Sequence, residues 1–547
     1  MTYRAPVRDM AFYLTEVAGL KALAGQGDFA DLTPDLIDAV LEEGAKLAGN
    51  VLAPLNKSGD SEGVRLEADG VKTAKGFADA YRQWVDGGWG SIAAAPEHGG
   101  PGRPLAKLVA GEWTGTMNLT EPQAGSDLNA LKAKAVPQSD GTYKISGTKI
   151  FITYGDHDMT DNIVHLVLAR LPDAPVGTRG ISLFLVPKFL LNEEGSLGAR
   201  NDAKCTGLEH KIGIHASPTC VMTYGDAGGA VGTLIGEENR GLACMFTMMN
   251  NARLLVGTQG VAIAERAYQH ALAFAQERKQ GRPAGSTLPA GDMAPIIAHP
   301  DVRRMLMTMK SMTSAARAIC YANAVAIDTA HHGADDAART SGQARADLLT
   351  PIAKSFSTDI GCEVASLGVQ IHGGMGFIEE TGAGQYYRDA RILPIYEGTN
   401  GIQAIDLVSR KLPLGNGSVA RTFITEMKDT AAAAHASNNA DMIAVATALD
   451  AGLAALDTAT DYMLSNLKSA PNDCLAGASP YLRLFGTVAG GHFLARAALA
   501  SAEGAAPRIT LARFYADQVL PASLGLVGPA TAGAAALFAL DEAALAG

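Results

Sequence analysis

Apolar positions recur at helical spacing in the N-terminal and C-terminal stretches of the chain and at two-residue spacing between them. Residues 9 to 55 carry a helical pattern, and Thr33-Pro34-Asp35 predicts the opening of a second helix by cap, first-position proline and acidic first turn. Phe77 to Trp84 predicts a further helical piece. Gly87-Gly88 and Gly99-Gly100-Pro101-Gly102 then make the chain irregular. From Trp113 the pattern changes to strands. Tyr143, Ile145, Ile150 and Ile152 flank Ser146-Gly147, while IVHLVLARL (163–171) and GISLFLVP (180–187) are β-rich runs bounded by turn residues. A β domain of about 120 residues is expected here. Near Gly241 helical spacing returns, with Leu254, Val261, Tyr268, Leu272 and Ala275 along one face of a long helix expected to stop at Gly281 and Pro283. More helices are expected at roughly 300–330 and 345–370. PLGNGS (413–418) reads as a linker, followed by an alanine-rich helical segment that runs to the end, broken by a loop at APNDCLAGASP (470–480).

Composition changes this picture little. A chain of 547 residues with 47% hydrophobic and 18% charged residues has ample material for several buried cores. The net charge of −11 argues against a nucleic-acid partner. Six cysteines without CxxC spacing point to a reducing compartment and no structural metal. The opening MTYRAPVRDMAFYL lacks the apolar core of a signal peptide, so a cytoplasmic location is expected. The uncharged stretch Val519 to Leu540 raises a membrane question, but Pro521, Pro529 and its many Ala and Gly residues favour short, buried, closely packed helices and no membrane.

Four stretches could carry chemistry. In RDARILPIYEGTNGIQ (388–403), Glu397 precedes a helix start for which Asn400 is a good N-cap and Gln403 stands where a capping-box partner would sit. The helix dipole there favours an anion, and Gly398 lets a ligand approach the backbone, which suits a base. A carboxylate that caps its own helix and pairs with Arg388 or Arg391 fits the same stretch. LTEPQAGSD (119–127) supplies backbone donors and the Thr120 and Ser126 hydroxyls, or is a tight loop. KIFIT (149–153) puts Phe151 and Thr153 on one strand face, suited to a flat ring with polar edges or to a core. QIHGGMGF (370–377) is glycine-dense at a helix end, where a backbone can lie close to a pyrophosphate or simply turn.

In this order and layout, TEPQAGSD, QIHGGMGF and YEGTN together resemble the acyl-CoA dehydrogenase family over residues 1 to about 410. The resemblance implies a multidomain α+β protein with the acyl-CoA dehydrogenase fold plus a helical C-terminal extension. An N-terminal helical domain (1–112), a middle β-barrel domain (113–238), a C-terminal four-helix-bundle domain (239–412) and the extension (419–547) are expected. The extension matches a larger-subunit branch. Within that branch YRAPVRDM, HKIGIHASPTCVM (210–222) and YEGTNGIQ look most like enzymes of a short methylthioacyl thioester.

Family membership implies FAD, in keeping with the lack of a G-x-G-x-x-G after any expected strand. By resemblance Thr120 and the backbone around Met117 and Leu119 contact the flavin ring, Phe151 and Thr153 lie at its face and edge, and Thr399 is near it. Arg278, Gln370 and Gly374 would hold the FAD of a partner subunit, which implies a homodimer or a dimer of dimers. Ser126, Arg253, Tyr396 and Gly398 fall to the acyl-CoA substrate; for Arg253 a solvated helix charge is the competing reading. The implied reaction is α,β-dehydrogenation, with Glu397 removing the α-proton while the β-hydrogen leaves to the flavin, and with an electron-transfer flavoprotein or similar acceptor downstream. The other position at which relatives carry the base is Ala252 here, which leaves Glu397 alone.

The sequence departs from the family between Gly102 and Leu105, where relatives carry roughly 40 more residues, enough for two or three helices. Their loss would open the acyl pocket to water. A flavoprotein impaired by this shortening is one competing function; a longer-chain acyl-CoA dehydrogenase, whose branch shares the YEGTNGIQ stretch, and an oxidase of the same fold are the others.

Overall fold

In the computed structural model, residues 3–92, 104–501 and 506–547 are described. Residues 93–103 fall outside them, so the shortening expected near 102–105 lies outside the described residues up to Pro104, where a short helix Pro104–Ala110 begins. Two compact units form, one from residues 46–249 and the other from residues 3–45 with 250–547.

The first unit is built on eight strands: β1 (Thr114–Asn118), β2 (Lys134–Pro137), β3 (Tyr143–Thr153), β4 (Ile163–Ala169), β5 (Ser182–Pro187), β6 (Ala203–Leu208), β7 (Thr219–Tyr224) and β8 (Ala230–Ile235). Their order is β6-β7-β3-β8-β5-β4-β1, with β2 on β3, and β1 pairs β4 in parallel while the other pairs are antiparallel. Alternation drives the pairing: Ile145, Ile152, Phe184 and Val186 turn inward and are buried. The register slips where β7 passes β3, from Cys220 opposite Ile152 to Met222 opposite Lys149. Phe151 sits in that bulge at φ 60°.

The second unit is helical. Its principal elements are α1 (Gly241–Glu277), whose first residues belong to the strand unit, α2 (Pro300–His332), α3 (Asp336–His372), α4 (Asn400–Asp406), α5 (Ser418–His435), α6 (Ala440–Asn466), α7 (Ala478–Leu499) and α8 (Ala506–Gln518). Leu254, Val261 and Ala275 are buried along α1, as their spacing predicts. Small residues let α1 and α3 approach closely: a Cβ on Gly260 would stand 2.3 Å from the Ser357 carbonyl oxygen, and one on Gly257 2.8 Å from that of Ala353. The helix ends at Glu277, before Gly281, because Lys279 bridges Pro295 and draws the chain out of helical geometry.

PLGNGS is not a flexible linker. Gly415, Asn416 and Gly417 are all left-handed, Gly417 abuts Leu464, and one hydrophobic cluster runs from Leu254 through Phe356 to Phe485 and Ala530. APNDCLAGASP is helical too: Pro471 takes the first turn of a helix Pro471–Ala476, and α7 starts directly after Gly477. Among the described residues one helix, α6, is long and apolar enough to cross a membrane, yet its Leu449, Leu453, Leu456 and Met463 are buried in that shared core. The stretch from Val519 to Leu540 breaks into short helical pieces, with Ala530 buried and Leu537, Phe538 and Leu540 exposed.

Candidate active site

In the helical unit the site is built on the turn before α4. Glu397 is left-handed at φ 55° and Gly398 follows at φ 84°. A non-glycine residue in that region is strained and persists only where its surroundings hold it. They do so through the two turn carbonyls. The Glu397 oxygen accepts Arg253 Nε at 3.4 Å and Gln403 Nε2 at 3.3 Å, and the Gly398 oxygen accepts Lys354 Nζ at 2.9 Å and Gln403 Nε2 at 3.2 Å. Thr399, rather than Asn400, caps α4, its hydroxyl accepting the Ile402 N–H at 3.3 Å.

The Asn400 side chain is drawn away from capping. Its Oδ1 accepts Lys354 Nζ at 2.9 Å, and its Nδ2 donates to Ser355 O, Thr358 Oγ1 and Asp359 Oδ1 at 3.2, 3.0 and 2.7 Å. Gln403 is likewise no capping-box partner, since its amide is spent on the turn carbonyls. The Tyr396 hydroxyl donates to Gln259.

Glu397 neither caps its helix nor pairs with Arg388 or Arg391. Arg388 is bound to Glu379, Arg391 reaches Cys362 Sγ, and no described cation lies within ion-pair distance of the Glu397 carboxyl. Burial pushes its pKa up, opposed by the charges of Arg253 and Lys354. Among the described residues its backbone N–H meets no acceptor. The turn therefore presents a carboxyl of raised basicity beside an open hydrogen-bond donor.

Arg253 is not a solvated charge. It is 5% exposed, with Nη1 3.5 Å from Asp406, which also binds Arg410 at 2.6 Å. Arg278, Gln370 and Gly374 gather elsewhere. The ends of α1 and α3 pack through Phe274 and His372, ring centroids 4.5 Å apart, and Arg278 lies roughly 37 Å along α1 from Arg253. Arg278, Gln370 and Gly374 are exposed there, and Gly373 and Gly374 have open space where a Cβ would stand.

In the strand unit, Met117 lies in β1 one residue before its end at Asn118, and the next residues cross to β3, where the Ile150 N–H donates to the Thr120 oxygen at 2.9 Å. Lys149, fully buried, holds the Leu119 oxygen at 3.0 Å and Glu121 at 2.8 Å; Glu121 in turn accepts the Lys132 and Ala133 N–H groups. Phe151 and Thr153 face outward with Ile152 inward, and Phe151 is 58% exposed. A bulky aromatic kept in a strained bulge and turned to the outside fits a flat cofactor ring. Ser126 is exposed in the following loop.

Sequence reasoning missed Lys354, Asp359, Asp406 and the buttress of Lys149 on Glu121. For Lys354 a signal existed: it is the only charge in PIAKSFST (351–358), a run of helix otherwise fit for burial.

Known proteins match along most of the chain. The family "acyl-CoA dehydrogenase, middle domain" matches residues 116–227, "acyl-CoA dehydrogenase, C-terminal domain" residues 239–412, and "acetyl-CoA dehydrogenase C-terminal like" residues 423–541. The chain is 46% identical to the 3-methylmercaptopropionyl-CoA dehydrogenase of Ruegeria pomeroyi, over 95% of this chain and 96% of that relative. That alignment runs over 573 residues, more than the 547 of this chain, so the relative carries segments with no counterpart here. Among solved structures, Caenorhabditis elegans ACDH-11 in complex with C11-CoA shares the fold, with TM-score 0.76 and 19% identity over 95% of this chain and 92% of that one. An acyl-CoA dehydrogenase from Bacillus anthracis complexed with FAD does so with TM-score 0.68 and 18% identity over 89% and 86%.

Proposed function

The chain belongs to the acyl-CoA dehydrogenase family of FAD-dependent oxidoreductases, and from that premise we propose that it dehydrogenates a short acyl-CoA thioester, 3-methylthiopropionyl-CoA first, with Glu397 as the base. The observation that carries the reading is the Glu397 turn: a half-buried carboxyl of raised pKa, free of ion pairs, beside an N–H that meets no acceptor among the described residues.

The chemistry needs both groups. The α-proton of a thioester is weakly acidic, so the carbonyl oxygen must be polarised where negative charge develops; the Glu397 N–H is assigned to that oxygen. A carboxylate with an ordinary pKa is a feeble base at neutral pH, and burial corrects this, while Arg253 and Lys354 keep the group ionised enough to accept a proton. FAD, when bound, supplies the two-electron acceptor for the hydrogen that leaves the β-carbon.

Met117, Leu119, Thr120, Phe151 and Thr153 are assigned to the flavin ring with Thr399, on the strength of the outward Phe151 and the Lys149-braced loop. Ser126, Tyr396 and Gly398 are assigned to the thioester and its CoA arm. Arg253 is assigned to the same substrate through its grip on the Glu397 carbonyl. Arg278, Gln370 and Gly374, far along α1 and α3 from Glu397, suit the FAD of a second copy, and we extend the proposal to a homodimer or a dimer of dimers. An electron-transfer flavoprotein as acceptor and a cytoplasmic location, in keeping with six free cysteines, complete it.

Anaerobic addition of 3-methylthiopropionyl-CoA, butyryl-CoA and a long-chain acyl-CoA to the yellow protein tests the substrate. Fastest bleaching of flavin absorbance is expected with the methylthio thioester. Faster bleaching by the long chain would replace the substrate assignment, and no bleaching by any would leave an impaired flavoprotein.

A further inference from the structure

We propose that Lys354 is the positioning residue of the base-bearing turn: its buried ammonium, 2.9 Å from the Gly398 carbonyl oxygen and 2.9 Å from Asn400 Oδ1, fixes the left-handed Glu397–Gly398 geometry and supplies the positive charge beside which the Glu397 carboxylate works. The inference rests on Glu397 being the base.

A lysine with no exposed surface is a costly choice for stability alone. Taking an ammonium out of water costs several kcal/mol, and among the described residues no carboxylate stands within ion-pair distance of Nζ to offset it. Methionine would fill the same space with no charge to desolvate. The protons of Nζ go instead to the turn. One reaches the carbonyl between Glu397 and the helix, and another reaches the Asn400 side chain, whose amide nitrogen ties the turn back to Ser355, Thr358 and Asp359 of α3. The strained Glu397 backbone is thus anchored to α3 through the carbonyl that follows it.

The charges that act on Lys354 come from α1, α3 and the turn. Arg253 of α1 repels it; Asp359 of α3 and Glu397 of the turn attract it. Asp406 of α4 is occupied by Arg253 and Arg410, and Arg483 of α7 lies beside Asp359. Burial first, then Arg253, bring the Lys354 pKa down to about 8, so the ammonium is charged at neutral pH and fades above it. A cation beside a carboxylate favours its ionised form, so removing the cation raises the pKa of Glu397. An active base must be ionised. The acid limb of the rate profile therefore moves to higher pH when Lys354 is neutralised.

The experiment uses the FAD-loaded enzyme as wild type, Lys354→Met, Lys354→Arg and Glu397→Gln, measuring anaerobic flavin reduction by 3-methylthiopropionyl-CoA from the acid through the alkaline range, with flavin content and thermal midpoint as controls. Lys354→Met is expected to keep FAD, lose roughly 10- to 100-fold in maximal reduction rate with little change in the substrate concentration for half-maximal rate, and shift its acid limb upward. Lys354→Arg, which keeps the charge, is expected to keep the limb in place and restore part of the rate. Unchanged rate and limb in Lys354→Met, with Glu397→Gln inactive, would overturn the inference alone. A rate loss with an unmoved limb and no rescue by arginine would reduce Lys354 to a packing residue and overturn it too. Substantial reduction by Glu397→Gln would overturn the base assignment and this inference with it.

Discussion

A Cβ on Gly398 would stand 2.8 Å from the Gln403 side-chain nitrogen, the same nitrogen that binds the carbonyls of Glu397 and Gly398. Gly398 is also left-handed at φ 84°. Gly398→Ala therefore strains the backbone and displaces the clamp together. We expect a loss of about 1–3 kcal/mol in stability and on the order of 100-fold in flavin reduction rate. Thermal melting and anaerobic rapid mixing check both; an alanine variant with wild-type rate would show that the turn is not the reacting geometry.

Phe151 carries a different kind of strain. At φ 60° an L-residue pays roughly 1–2 kcal/mol that glycine does not. Phe151→Gly is expected to melt no lower than wild type once FAD is stripped from both, yet to retain less FAD after gel filtration. Full flavin content in that variant would remove Phe151 from the cofactor site.

His157 and His165 are buried in the strand unit, and burial lowers their pKa values to about 4 and about 3. Both groups bind protons in the unfolded chain near the ordinary histidine value of about 6.5 but not in the folded one, so the unfolded state holds more protons as pH falls. Stability is then full above about pH 6.5 and declines by about 1.4 kcal/mol per histidine for each pH unit down to the folded pKa. Denaturant titrations along that range should show the slope, and His165→Gln should reduce it. An unchanged slope would mean that the histidine is not the proton acceptor.

The C-terminal extension packs on the outer side of the α3 segment that carries Lys354. A Cβ on Gly486 would stand 2.5 Å from the Phe356 ring, and Arg483 makes a two-pronged pair with Glu363 at 2.7 and 3.0 Å. The pair is partly exposed, so Arg483→Ala should cost no more than about 1 kcal/mol. Gly486→Leu overpacks a closed interface and should cost about 1–3 kcal/mol, with reduced turnover because Phe356 is two residues from Lys354. Equal effects of the two variants on the melting midpoint would contradict this ranking.

Helix and strand periodicity made the architecture legible, since Leu254, Val261 and Ala275 on α1 and Ile145 and Ile152 on β3 repeat where their burial requires. Motif resemblance pointed to the family that the relatives show and drew attention to the turn at Glu397. The error at Asn400 has a physical source: asparagine is a strong N-cap by nature, but Lys354 and Asp359, more than 40 residues upstream, compete for its side chain and leave capping to Thr399. Lys354 stands out in the sequence only as a lone charge in a run otherwise fit for burial, and what it binds depends on the turn that folds against it. Proline and glycine misled at 470–480, where Pro471 starts a helix instead of ending one.

The proposed role of Glu397 as the base that takes the α-proton of an acyl-CoA thioester is tested by anaerobic rapid mixing of FAD-loaded wild type and Glu397→Gln with 3-methylthiopropionyl-CoA. Prompt loss of flavin absorbance is expected in the wild type, and in the variant full FAD content with a rate lower by on the order of 100-fold or more. Comparable bleaching in the two proteins would contradict it.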